Sequence, residues 1–377
     1  MMSIVTVQNT ESIPPHSVNL PSTLAIVSGP MALTIVADDL TAACDTGTLF
    51  AGQAPVPVTV WPAAPVVAEV AVVDTESRHI DREAASARVS GAAASRPAAT
   101  SWFKKIDSTL RGHVGAEIVA LLEATGAPSA VTCPAFPSEG RVVLDRVLWV
   151  DGAATAHVVD VIRSESDRPL AWVPLAEVRA GAVALAARLA RLAGMIAVAD
   201  AETDDDLDTI VGAALALEHA PLLAGSAGLA LPLAARLGLS AGRAALPGGR
   251  WLIVAGSLHE ATRRQLARAR RAGLRVLATA AAEDTDTGEA AATLAREAAR
   301  LLAAESFDLI VLIGGDTAVA FYRTLDAMRI DLVGAPRPGL AFGYVRAPGH
   351  PVLPVLTKAG GFGPPGLFVS LWKEAAS

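Results

Sequence analysis

A chain of 377 residues exceeds what one hydrophobic core usually supports, so two domains with separate cores are expected. Its formal charge of -7 excludes a surface built to lie along nucleic acid, and no run of about 18 or more uncharged apolar residues offers a membrane span. Cys44 and Cys133 are too few for a disulfide framework or a thiolate zinc site and read as reduced packing residues of a cytoplasmic protein.

Residues 1–30 lack the basic start and continuous apolar core of a secretory signal and read as a loose extension, with Met31 opening on the first strand. Residues 33–37 (LTIVA) form a β-branched run that ends at Asp38-Asp39 and gives way to a helical stretch, the order of an open α/β sheet. Similar runs recur at 71–73, 101–103, 130–133 and 195–199, with helical segments such as 115–123 between them, which predicts a largely parallel sheet. Residues 175–192 carry apolar side chains at helical intervals and predict one helix, with Arg179, Arg188 and Arg191 on its solvated face.

After a helical segment around 229–237, the Gly- and Pro-rich stretch 240–250 (SAGRAALPGGR) reads as a linker. The expected organisation is an extension 1–30, a domain 31–239, a linker 240–250 and a domain 251–377. Beyond the linker the same grammar returns, with strand candidates at 251–255, 275–278, 309–313 and 352–356 and helices at 259–271 and 289–304. Arg263, Arg264, Arg268, Arg270 and Arg271 lie on the first of these helices and read as a solvated face rather than a nucleic-acid patch. The fold class is therefore α/β: two domains, each an open mostly parallel sheet flanked by helices, with the active site in the cleft between them.

Polar residues gather where the strands end. Asp38 and Asp39 follow the first strand, where an open sheet meets its ligand; adjacent carboxylates share such a site if a metal, a proton or a hydroxylated ligand separates their roles. The alternative is that one of them caps the next helix. The segment KKIDSTLRG at 104–112 packs cations, an acid and two hydroxyls into nine positions after another strand. Its Lys and Arg side chains supply donors for a carboxylate or phosphate, and Asp107 can accept from hydroxyls or orient a lysine; helix capping by Asp107 or Ser108 is the plainer reading. Arg78 in DTESRH and residues 138–141 in PAFPSEGR, where Pro134 and Pro137 suit a turn, bring further polar groups to this edge. Together they suit a polyhydroxylated anion.

In the second half, Ser257 ends a strand and with nearby N–H groups can meet an anion at a helix start. Gly314, Gly315, Asp316 and Thr317 occupy the same position after DLIVLI; the glycines let backbone approach a phosphate and Thr317 can cap the next helix. Gly360, Gly361, Phe362 and Gly363 make a third such turn after Lys358. Three of them suggest a nucleotide, although neither the P-loop signature nor the dinucleotide fingerprint is present.

The phrases ADDLTAACD, DTESR, KKIDSTLRG, PAFPSEGR, AGSLHEATRRQ, GGDTA and KAGGFG, in this order over about residues 33–368, resemble the four-carbon acid sugar kinase family. The resemblance implies a sugar-acid-binding first domain and a nucleotide-binding second one. It also implies ATP-dependent phosphorylation of a terminal hydroxyl of a tetronate such as threonate, erythronate or 3-oxo-tetronate. It gives the substrate role to Asp38, Asp39, Arg78, Lys105, Asp107, Ser108 and Arg111, and the nucleotide role to Ser257, Gly314, Gly315, Asp316, Thr317, Gly360, Gly361, Phe362 and Gly363. Leu258-His259, Ala42 and residues 364–366 differ from the family pattern.

On this basis Mg2+-ATP is expected against the glycine turns, with Arg111 and Lys105 holding the acid's carboxylate or developing phosphate charge. Asp38 or Asp39 would orient or deprotonate the acceptor hydroxyl, and Asp38, Asp39, Lys105 and Asp107 form the expected catalytic set. The expected partners are a small sugar acid and ATP, without nucleic acid or membrane; a homo-oligomer is compatible with the sequence. Two other readings remain open: an aldolase or isomerase with Lys105 as base or Schiff-base nucleophile, and a non-catalytic sensor of sugar acid and nucleotide.

Overall fold

The computed structural model describes residues 32–62, 66, 68–96, 100–256, 259–279 and 287–376, so the expectations for residues 1–30 and for Ser257 lie outside the described residues. In chain order the strands are β1 Ala32–Ala37, β2 Val56–Thr59, β3 Val70–Asp74, β4 Thr100–Lys105, β5 Ala130–Cys133, β6 Arg141–Leu144, β7 Val147–Val150, β8 Ala153–His157 and β9 Leu170–Val173. They continue as β10 Ile196–Ala199, β11 Leu222–Gly225, β12 Trp251–Ala255, β13 Arg275–Ala278, β14 Leu309–Ile313, β15 Arg329–Gly334, β16 Leu340–Val345 and β17 Leu353–Lys358. Runs such as LIVLI are buried along their whole length because helices cover both faces of parallel strands.

Among the described residues, fourteen strands form one sheet in the order β13-β12-β14-β17-β16-β15-β2-β3-β1-β4-β11-β5-β10-β9, and β6, β7 and β8 form a separate antiparallel sheet. The two open sheets expected from the sequence thus meet edge to edge. β15 pairs antiparallel with β2, with Ile330 opposite Val58. Further reversals at β17–β16 and β16–β15 make the parallel strands of the two lobes run in opposite senses. Loops at their carboxyl ends line a common cleft.

The helix Leu40–Thr48 ties the lobes together, packing on β1 and β3 in one and on β15, β16 and β17 in the other. A Cβ on Gly47 would stand 2.7 Å from Leu332 Cδ1 and 3.1 Å from Val72 Cγ2, so the helix packs closely on both β15 and β3 at this point. The larger apolar core runs through the first lobe and into the second; Trp251, Ile253, Phe342 and Phe368 anchor a smaller cluster in the second. Residues 240–250 form an irregular connection that bridges to the sheet at Arg243–Ala335 and accepts from Trp251 Nε1 of β12 at the Pro247 carbonyl, 2.9 Å. Cys44 and Cys133 are buried free thiols.

One expected helix is two. Residues 175–192 break into Leu175–Val178 and Ala182–Ala190, with Gly181 at φ 95 between them, a conformation that ends an α-helix. Arg179 consequently turns to Asp206 and Glu202, at 3.0 and 2.9 Å, and Arg188 to Glu177 at 2.9 Å, rather than projecting freely into solvent.

Candidate active site

Each half of the sheet has a point where strand order reverses. β1 lies between β3 and β4, and β12 between β13 and β14, so the loops after β1 and β4 and those after β12 and β14 flank the crevices where open α/β sheets bind ligands. The two crevices open into one cleft of about 1320 Å³. Its first-lobe wall includes Asp39, Arg78, Lys105, Asp107, Ser108 and Arg111; its second-lobe wall includes Gly315, Gly360, Gly361 and Phe362. Asp38, Gly314, Asp316, Thr317 and Gly363 lie behind or beside this lining.

The adjacent carboxylates have separate tasks. Asp38 is buried and accepts from Arg78 twice, Nε to Oδ2 at 2.8 Å and the terminal NH2 to Oδ1 at 2.9 Å. Burial alone would raise its pKa, but the hydrogen bonds and charge of Arg78, with Lys104 and Lys105 behind, hold it below the ordinary carboxylate value. Asp39 caps the helix Leu40–Thr48 through Oδ1, which accepts from Ala42 N at 2.9 Å, while its other oxygen faces the cleft 3.5 Å from Arg78. Capping and site membership therefore coexist in one side chain.

The KKIDSTLRG segment is organised around Asp107. Its Oδ1 accepts from Thr109 N at 2.9 Å and Thr109 Oγ1 at 2.5 Å, and its two oxygens accept from Arg111 Nε at 3.1 Å and terminal NH2 at 2.7 Å. Burial opposes its charge, yet the Arg111 and Thr109 hydrogen bonds hold its carboxyl well below the usual range. Asp107 thus aims Arg111 rather than offering a free base. Neither Asp107 nor Ser108 caps a helix; the next one, Val114–Thr125, starts at His113 with no side-chain cap.

Lys105 is buried on the cleft wall, where its Nζ donates to the Ile106 carbonyl at 2.9 Å. Burial lowers its pKa, opposed by Asp38, Asp107 and Asp45. Lys104 serves the fold: fully buried, it pairs with Glu117 at 2.8 Å, and Glu117 in turn accepts from Ser77 Oγ at 2.5 Å.

On the second-lobe side, the helix Gly315–Thr324 points its amino terminus toward the first lobe, and a Cβ on Gly315 would lie 2.9 Å from Asp39 Oδ2 and 3.1 Å from Thr41 Oγ1. Gly314, at φ 100, occupies the cap position without a side-chain bond. Thr317 does not cap this helix: it is buried in the first turn, with Oγ1 occupying space that a Cβ on Gly256 would need.

The turn 359–363 is shaped from beneath by residues the sequence reading left unassigned. Lys358 Nζ donates to the carbonyls of Ala359, Gly360 and Phe362 at 2.7, 2.7 and 2.8 Å, and Gln265 Nε2 to those of Phe362 and Gly363 at 2.8 Å each. Thr262 Oγ1 also bonds the Gly360 carbonyl. With these carbonyls drawn inward, the N–H groups of Gly360 and Gly361, which have no acceptor among the described residues, remain available to an anion. Burial brings the Lys358 pKa down to about 8. The signal was in the quoted phrase AGSLHEATRRQ, whose Thr262 and Gln265 lie three residues apart on one helix face.

Two more residues belong to the cleft: Asp45, which the sequence did not point to, and Arg141, expected at this edge as part of PAFPSEGR but given no role. Asp45 lies four residues after Thr41 on the cleft-facing side of Leu40–Thr48; burial raises its pKa, with Lys105 opposing. Arg141 opens β6 after the 3-10 turn Pro137–Glu139 and also lines the cleft. Among the described residues no three metal-ligating side chains converge.

Two family models match the chain, a sugar-binding N-terminal domain over residues 33–233 and a nucleotide-binding C-terminal domain over residues 277–368. A D-threonate kinase of Bordetella bronchiseptica is 34% identical, covering 89% of this chain and 95% of that protein. A D-threonate kinase of Cupriavidus necator is 30% identical over 91% and 98% respectively. A D-erythronate kinase of Heliobacterium modesticaldum is 33% identical over 62% of this chain and 59% of its own length. The fold is shared with Haemophilus influenzae protein HI1011, at TM-score 0.69 and 18% identity, covering 91% of this chain and 99% of that one.

Proposed function

The chain belongs to the four-carbon acid sugar kinase family, and from that premise we propose that it transfers the γ-phosphoryl group of ATP to the terminal hydroxyl of a tetronate of the threonate, erythronate or 3-oxo-tetronate type. The observation that carries this reading is the approach of Gly315 to Asp39: the second lobe's helix amino terminus stands against the first lobe's open carboxylate inside one cleft. A phosphate on that helix end and a hydroxyl on that carboxylate would be neighbours.

In this proposal the domains divide at 240–250, and each wall has its own task. The N–H groups of the Gly314–Gly315 turn and of Gly360 and Gly361 cradle the phosphates. Asp39 orients the acceptor hydroxyl and takes its proton; Asp38, neutralised by Arg78, holds that guanidinium in place instead of serving as a second base. Lys105, Arg78 and Arg111 supply the positive field for charge developing during transfer. Mg2+ prefers hard oxygen donors and usually arrives on phosphates with one or two carboxylates; Asp316, an exposed carboxylate in the first turn of Gly315–Thr324, would be the protein donor. When bound, the ion would neutralise phosphate charge.

A coupled ADP-release assay over D- and L-threonate, D- and L-erythronate and their 3-oxo forms tests the reading. Turnover with at least one of these acids is expected. ATP binding without ADP release across the whole panel would overturn it.

A further inference from the structure

An acid substrate needs a cation that the protein has not already neutralised. On the first-lobe wall, Arg78 is taken by Asp38 at 2.8 Å, with Asp39 and Asp107 at 3.5 and 3.7 Å, and Arg111 is taken by Asp107 at 2.7 Å. Lys105 is spent in part on the Ile106 carbonyl. Arg141 differs: it makes no ion pair among the described residues, and its Nε is buried with no hydrogen-bond partner. A buried guanidinium N–H without an acceptor is unfavourable unless a ligand supplies one.

Its backbone is also fixed in advance. Phe136 and Arg141 exchange N–H to carbonyl bonds at 2.8 and 3.1 Å around the turn, and Val143 and Ala201 do so at 2.8 and 3.0 Å, which ties the small sheet to the body. Gly140 turns the chain at φ 69, a conformation that favours glycine, and packs closely against Asp151. Asp45, Glu139 and Asp151 line the same part of the cleft. One unpaired guanidinium among carboxylates repels a polyphosphate but suits a ligand with a single negative charge and several hydroxyls, which can donate to those carboxylates.

We propose that Arg141 binds the carboxylate of the acceptor and so makes this site select a sugar acid over the matching neutral polyol. The proposal rests on the kinase reading above and deepens its substrate half. Its test first requires a wild-type enzyme that turns over a tetronate; a wild type that turns over none overturns the kinase reading, and this proposal with it. With an active wild type, the affinities of Arg141→Met and Arg141→Lys for that acid and for ATP are measured by calorimetry, and the matching tetritol is scored as a competitive inhibitor.

For Arg141→Met the expected result is a rise of roughly 100-fold in the acid's Kd, with ATP affinity and tetritol inhibition unchanged within about twofold. Arg141→Lys, which keeps the charge but loses the two-pronged donor geometry, should show about a tenfold rise, and it carries the test if the Met variant does not fold. Acid affinity within about threefold of wild type in the variant tested, or parallel losses for acid, tetritol and ATP, would overturn the assignment while leaving the kinase reading intact.

Discussion

Asp38 grips Arg78 through both carboxylate oxygens, at 2.8 and 2.9 Å, and this leaves its neighbour Asp39 to face the cleft. Both partners of the pair are buried, so removing one strands the other's charge. Asp38→Ala should lower unfolding stability by about 3–5 kcal/mol in urea titrations. Turnover should fall too, because a released Arg78 sits 3.5 Å from Asp39 and can neutralise it. Wild-type stability in the variant would show that the pair is not what positions Arg78.

Gly315 has a second consequence. Alanine is the better helix former, so Gly315→Ala should leave the melting temperature unchanged or raise it slightly. The new methyl group would nevertheless stand 2.9 Å from Asp39 Oδ2 and hold the two walls apart. We expect kcat to fall by about tenfold or more while the fold is intact. Equal kcat with equal stability would mean that the two residues need not approach during transfer.

Many of the buried parallel strands were legible in the sequence as short apolar runs rich in β-branched residues, as in LTIVA and LIVLI, whereas β11, LLAG, is equally buried but has no β-branched residue and was not expected. The strands that join the lobes were not. VPVT carries a proline, RIDLVG mixes charge with apolar residues, and their partnership spans most of the chain, which local pattern does not record. The hairpin β7–β8 left a usable signal in Asp151-Gly152, both at positive φ between the two strands. Within the site, charged residues after strand ends could be found by composition; the division of labour between Asp38 and Asp39 could not, since it depends on which of them Arg78 reaches.

Gln265 holds the turn 359–363 by donating to the carbonyls of Phe362, Gly363 and Pro364 at 2.8, 2.8 and 3.2 Å. Gln265→Leu keeps the bulk and removes these bonds. Its KM for ATP should rise by about tenfold, with the KM for the acid little changed. A rise confined to the acid's KM would contradict the assignment of this turn to the nucleotide.

If the turn 359–363 holds the nucleotide as proposed, Lys358 should make nucleotide binding depend on pH. Burial lowers it from the ordinary lysine value of 10.5 to about 8; below that pH its ammonium offers three donors to the turn's carbonyls, and above it the neutral amine offers one fewer. ATP affinity should therefore weaken as pH rises through 8. The unfolded chain keeps this proton to higher pH, so between about 8 and 10 the same group makes folding more favourable as pH rises, opposite in sign to its effect on ATP. In Lys358→Met the ATP affinity should be low and flat over this window, whereas a flat wild-type profile from about pH 7 to 9 would remove Lys358 from this role.

Phosphoryl transfer across the cleft, with Asp39 as the group that readies the hydroxyl, is tested most directly by single-turnover transfer of labelled γ-phosphate from ATP to the preferred tetronate in wild type and Asp39→Asn. Asparagine can still cap the helix Leu40–Thr48, so the fold and the ATP Kd should be preserved while the transfer rate falls by about 100-fold or more. An Asp39→Asn enzyme that transfers phosphate at the wild-type rate, with both substrates saturating, would contradict the account.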